Sequence, residues 1–186
     1  MRCAPLILIL AVATGCASAP SNTSPPWTTN AQIPRGSAPP VLLEEWARAD
    51  NRASCAPLTF DPAVVPRDAT PRRANFSGGW AVAWDQPGQP GRDASGAECA
   101  RCGRGVFGIA GTGAEASDED LAQWEHQQRW PDGSWAGWGP EGHQGPRWLA
   151  YVRVAGEGCL YNVWSSISRD HLESLIASLR SVEPLP

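Results

Sequence analysis

Lysine is absent from this 186-residue chain, and all fifteen basic residues are arginine. Phenylalanine, tyrosine, methionine and histidine are scarce, at three, two, one and three copies, so apolar filling must come from other residues. A basic block and any long acidic run are missing too, and the formal net charge is only −4. Without clustered cations the chain cannot neutralise a phosphate backbone, which excludes a nucleic-acid partner. The same lack argues against attraction to anionic lipid through the protein surface. No apolar run approaches the roughly 20 residues that a membrane-spanning helix needs. Gly-x-Ser-x-Gly, His-Glu-x-x-His and phosphate-loop motifs are missing. No catalytic residue and no cofactor is therefore assigned, and the domain is expected to be non-enzymatic.

What the chain does contain begins with a targeting segment. Met1-Arg2 is a short positive start, residues 6–12 (LILILAV) are apolar, and Ala13-Thr14-Gly15 places small residues before Cys16. This is the three-part plan of an export signal. Ala13-Thr14-Gly15-Cys16 resembles the lipobox of bacterial lipoproteins, with Ala13 where that family usually has Leu. The resemblance covers residues 1–16 and implies that residues 1–15 are removed and that Cys16 carries the lipid. By the family's sorting rule, Ala17 after the Cys implies the outer membrane in hosts that have one, with the protein facing the periplasm or the cell surface. Several acyl chains, at about 0.8 kcal/mol per buried CH₂, make a stable anchor.

Residues 16–40 follow as the lipidated Cys and a Pro/Ser/Thr-rich tether without apolar periodicity, expected to be disordered. At about 3.1 Å per residue its extended reach is roughly 70 Å. A single domain is expected over residues 41–186. Its first element is a helix, because Leu42, Leu43, Trp46 and Ala49 share one face behind Pro39-Pro40. Residues 56–78 read as loop. Residues 79–84 (GWAVAW), 106–110 (VFGIA), 126–130, 135–139, 147–155 and 159–165 read as strands. Pro131-Asp132-Gly133-Ser134 and Gly156-Glu157-Gly158 supply the hairpin turns. A short helix is expected from Ser117 to about Trp124. Leu172, Leu175, Ile176, Leu179 and Val182 predict an amphipathic helix, capped by Ser168 or Asp170, with Asp170 and Glu173 resembling a reciprocal capping pair. The fold class is α+β: an antiparallel sheet of about five or six strands, a C-terminal amphipathic helix on one face, and an N-terminal helix.

Four cysteines remain once Cys3 and Cys16 are set aside: Cys55, Cys99, Cys102 and Cys159. An even number in an oxidising compartment reads as two disulfides. Three pairings are possible, and Cys55–Cys159 with Cys99–Cys102 is preferred. Cys99-Ala100-Arg101-Cys102 is also a CxxC, and Arg101 and Arg104 would lower a thiolate pKa. It lies between Gly-rich loop residues and a strand, not at the strand-to-helix junction of a thioredoxin-type site, so a loop clip is the preferred reading. A zinc site lacks a second ligand pair, and no metal is assigned. His126, His143 and His171 have no evident catalytic partner.

Ten tryptophans are a real excess. Trp124, Trp130, Trp135, Trp138 and Trp148 fall within 25 residues. Trp80, Trp84 and Trp164 alternate within strands and are expected in the core. The cluster reads first as core filling in a domain poor in Phe, Ile and Met, and second as a ligand-binding platform of Trp130, Trp135 and Trp138, of which Trp135 and Trp138 near the turn are the ones expected to be exposed. The leading functional expectation is a membrane-anchored envelope lipoprotein with a binding or scaffolding domain, whose partner is an envelope protein or glycan. A Trp-lined carbohydrate or peptidoglycan binder and a thiol-redox protein using Cys99 and Cys102 are the alternatives.

Overall fold

Trp80, Val82 and Trp84 alternate with Ala81 and Ala83, and this short pattern forms a strand next to one edge of the main sheet, with both of its faces buried. The computed structural model describes residues 24–28, 32–74, 78–87, 106–113, 122–141 and 147–183. Among them the chain forms α1 (Pro40–Arg48), β1 (Leu58–Phe60), β2 (Thr70–Arg73), β3 (Trp80–Asp85), β4 (Phe107–Thr112), β5 (His126–Arg129), β6 (Trp135–Pro140), β7 (Trp148–Arg153), β8 (Leu160–Ser165), α2 (Arg169–Ala177) and β9 (Leu179–Ser181). Seven strands make one antiparallel sheet in the order β2-β3-β4-β8-β7-β6-β5, and β1 pairs with β9 in a separate ribbon. The α+β expectation holds, with a larger sheet than expected.

All six strands read from the pattern are present. The seventh, β2, lies in the stretch read as loop. Its sequence, Thr-Pro-Arg-Arg, carries no apolar alternation because it is an edge strand. Its hold on β3 is partly ionic: Arg72 Nε donates to the fully buried carboxylate of Asp85. Glu45 of α1 binds Arg73 at 3.0 Å and Arg48 at 3.1 Å, which ties the helix to the same edge. β1 is missed for the opposite reason, since three consecutive buried residues show no period.

Period-two alternation sorts the side chains into two layers. One face carries Trp80, Val82, Trp84, Phe107, Ile109, Tyr161, Val163, Ala150 and Val152, packed with Leu42 of α1 and Leu172, Leu175 and Ile176 of α2. The other carries Ala81, Ala83, Ala110, Leu149 and Trp164, with Trp135 and Leu160 beside them. Trp80, Trp84 and Trp164 are buried, as their alternation predicts. Two glycines of β4 make room for this packing. A methyl on Gly108 would overlap the Trp164 ring and the Val82 carbonyl, and one on Gly111 would overlap Cys55 Sγ and the Trp80 indole.

The C-terminal helix is shorter than its apolar pattern suggests. Ser168 Oγ accepts from the His171 amide at 3.0 Å and caps its start. Glu173 does not reach back as a capping partner; it binds Arg169 at 2.7 Å and the Trp138 indole at 2.9 Å. The helix ends at Ala177, where Ser178 turns the chain, and Leu179 and Val182 belong to an extended segment along β1. Apolar spacing alone does not distinguish a last helical turn from a short buried strand. The expected helix from Ser117 lies outside the described residues except for its end.

The stretch expected to be a free tether is partly packed. Trp27 is buried against Trp130, with ring centroids 4.7 Å apart. Ser181 Oγ donates to the Trp27 carbonyl at 2.8 Å, and Ile33 forms a parallel bridge with Val182. Pro and Ser content had suggested disorder, but one large ring, two backbone bonds of Ile33 and the Ser181 bond to Trp27 outweigh the local composition.

Two outcomes follow from this packing. Gly108→Ala should destabilise the domain by about 1–3 kcal/mol, because neither the Trp164 ring nor the strand backbone can withdraw. The urea midpoint would fall with an unchanged slope. Cys55 and Cys159 form a disulfide that closes a sequence separation of 104 residues. Replacing both with Ala should cost about 4–5 kcal/mol by the chain-entropy argument, measured by the same titration.

Candidate functional site

The two ends of the sheet differ in character. At the end holding the β7–β8 turn, the disulfide brings the segment after α1 against the start of β8. Gly156 has φ +84°, and the Glu157 amide donates to the Val154 carbonyl at 3.2 Å, so the turn is tight. Glu157 reaches back to the chain around Cys55. Its carboxylate accepts from the Ala56 amide at 3.1 Å and bonds the Tyr161 hydroxyl, which also lies 2.9 Å from the Ala56 carbonyl. Burial, then the charge of Glu157, holds the Tyr161 hydroxyl well above its ordinary pKa, so it stays protonated.

An open groove of about 690 Å³ lies over this junction. Trp27, Gln32 and Arg35 form one wall, and Trp46, Arg52 and Glu157 are among the residues on the others. The Arg35 guanidinium sits 5.6 Å from the Trp46 ring centroid, and the Trp46 indole donates to the Cys55 carbonyl at 2.8 Å. The buried Trp27 indole nitrogen has no acceptor among the described residues. The groove therefore combines aromatic surface with guanidinium donors. One wall is the incoming chain itself.

The candidate tryptophans are divided between the two ends: the Pro131–Ser134 turn sets Trp130 and Trp135 at the same end as the β7–β8 turn, and Trp138 lies toward the other. Trp130 is 5% exposed and packs on Trp27; Trp135 is 2% exposed and faces the layer of Leu160, under the Arg129 guanidinium. Neither can serve as an open platform, which corrects the expectation for both. Trp138 alone of the three is only half-buried. The reason is the strand period. Trp135 and Trp138 are three residues apart on β6, so they point to opposite faces.

Pairing brings other rings to Trp138. β5–β6 register sets His126 opposite Trp138, and β6–β7 register sets Trp148 opposite Pro140, two residues along. The His126 ring lies 5.9 Å from the Trp138 ring and 6.2 Å from the Trp148 ring, nearly parallel to the latter. His126 Nε2 is 3.4 Å from Glu125 Oε1. Arg147 binds Glu141 at 3.2 Å and Ser166 at 3.4 Å. Burial would raise the Glu173 pKa, but the bonds from Arg169 and Trp138 outweigh it and hold the carboxyl below its ordinary value. It is an ionised acceptor at neutral pH. The register of the tight Pro131–Ser134 turn, continued along the hairpin, was the available sequence signal for the His126–Trp138 pair. Trp148 had no such signal in the sequence.

Cys55 and Cys159 are bonded, as the preferred pairing requires. Cys16, Cys99, Cys102 and His143 lie outside the described residues. Among the described residues no cluster of His, Cys, Asp or Glu is placed to hold a metal ion, and no helix is long and apolar enough to cross a membrane. Ser165 Oγ and His171 Nδ1 are 2.9 Å apart, but Ser165 is fully buried beneath the sheet end and also accepts from the Ile167 amide. The pair is a structural bond, not an accessible nucleophile and base.

Burial lowers the His171 pKa from its ordinary 6.5. The unfolded chain therefore takes up a proton at a pH where the folded one does not. This contribution to stability is complete above the unfolded pKa and is lost as pH falls from it toward the lower folded value. The urea-midpoint difference between the native protein and His171→Gln should shrink between pH 7 and pH 5. A constant difference would show that His171 titrates alike in both states.

No family model matches this chain, and neither a curated protein nor a solved structure does.

Proposed function

We propose that this protein is a lipid-anchored component of the bacterial envelope whose folded domain is a non-enzymatic binding module. The Cys55–Cys159 bond is the observation that carries the envelope reading, because a reducing cytosol would keep both thiols free. It agrees with the lipobox resemblance around Cys16. The binding reading rests on the groove, whose size lies within the range of small-molecule sites, about 300–1,000 Å³.

The anchor and the groove are close in the chain. Eight peptide links separate Cys16 from Ser24, the first described residue. At about 3.6 Å per link they span at most roughly 29 Å. With Trp27 packed into the domain, this is the reach available to a membrane-bound Cys16, less than half of what a free tether to residue 40 would give. The domain is therefore held near the bilayer, with the groove at its anchored end.

Cys16→Ser should abolish labelling by radioactive palmitate and leave the protein unprocessed or in the soluble fraction. If that variant still partitions with membranes after extraction of peripheral proteins, the anchor is not at Cys16.

A further inference from the structure

We propose that the ring cluster of His126, Trp138 and Trp148 is a saccharide-binding site, and that its ligand is an uncharged β-1,4-linked oligosaccharide. The inference rests on the binding-module reading but uses the end of the sheet opposite the groove. Three observations carry it. His126 lies against both Trp138 and Trp148, and all three rings are half-buried, so part of each ring is left exposed at the sheet end. The strongly exposed large apolar side chain among the described residues, Ile167 at 45%, lies at this same end, in the link between β8 and α2. It follows Ser166, which binds Arg147.

The rim supplies polar groups already fixed in place. Arg147 is paired with Glu141, and Arg169 with Glu173, while Glu173 also fixes the Trp138 ring through its indole N–H. Both guanidiniums are paired, and Glu125 adds a further carboxylate 3.4 Å from His126, so the rim does not favour an anionic ligand. It still presents guanidinium donors beside carboxylate acceptors. A sugar hydroxyl both donates and accepts, so adjacent hydroxyls of a pyranose match such a pair. A pyranose with equatorial substituents also has an apolar C–H face that suits a Trp ring, which offers a rigid flat surface. β-1,4 linkage keeps successive rings extended, so a chain can lie across neighbouring aromatics and reach the rim.

The test is isothermal titration of the mature, lipidated protein in a sugar-free detergent, with chitotetraose and cellotetraose as probes. At least one should bind with a dissociation constant below about 1 mM. Trp148→Ala should weaken binding about tenfold or more, Trp148→Phe less, and the exposed control Arg67→Ala not at all. Arg147→Ala changes only the rim and should weaken binding several-fold, which keeps the test meaningful if Trp148→Ala fails to fold. Absence of heat from both sugars at 5 mM, or unchanged affinity in both Trp148→Ala and Arg147→Ala, overturns the proposal. Binding of tetramethylammonium with neither sugar bound would overturn it in favour of a cation cage. None of these results bears on palmitate labelling at Cys16, so failure here is distinct from failure of the anchor reading.

Discussion

Trp164 lies over Gly108 on one face of the sheet, while Trp80 lies beside Gly111 on the other. Both glycines belong to β4, the strand between β3 and β8, and each leaves the space that a large ring fills. The constraint is one of volume. Three phenylalanines and one methionine provide few medium-sized fillers. The interior is built instead from large flat rings set against glycine and alanine. Packing at crystal-like density is met in two ways: Trp80 and Trp164 each fill the space beside a glycine of β4, and Trp84 stacks on Phe107 with ring centroids 5.5 Å apart. β2 continues the sheet on one side of β3, β4 and β8, and β7, β6 and β5 continue it on the other; the two helices cover one layer.

Closure of the chain depends on a different set of contacts. The disulfide joins the segment after α1 to the start of β8, β1 pairs with β9, and Ile33 adds to that ribbon beside Val182. The first and last parts of the domain are thereby fastened at one end of the sheet. The groove is a product of that fastening, since its walls come from the incoming chain, the post-α1 segment, the β7–β8 turn and the residues after β9. Trp27 links the two themes: its ring fills space against Trp130, and its backbone is held by Ser181.

The other end of the sheet is polar and aromatic at once. His126, Trp138 and Trp148 stand where β5, β6 and β7 are no longer covered by α2, and the helix contributes Glu173 and Arg169 to their border. Trp138 is immobilised by a carboxylate that its own strand could not supply. Such a surface costs little to order on binding, because its rings are held before any ligand arrives.

Local pattern was sufficient for much of this architecture. The six strands with alternation or strong turns, both helices, the Ser168 cap and the burial of Trp80, Trp84 and Trp164 follow from period and turn chemistry. β2 was illegible because an edge strand buries too little to need an apolar pattern, β1 because three consecutive buried residues have no period, and β9 because Leu179 and Val182 continue the apolar spacing of the helix before them. The platform of Trp130, Trp135 and Trp138 was misread because proximity in sequence is not proximity on a face: a spacing of three on a strand puts two rings on opposite sides. Sequence by itself determined the elements and the cysteine inventory, since these depend on neighbours a few residues apart. Tertiary structure alone decided that Trp27 leaves the expected tether for the core, that the chain's two ends build a groove, and that His126 meets both Trp138 and Trp148. Those outcomes depend on register and on the match of ring volumes across the sheet, which no single segment specifies.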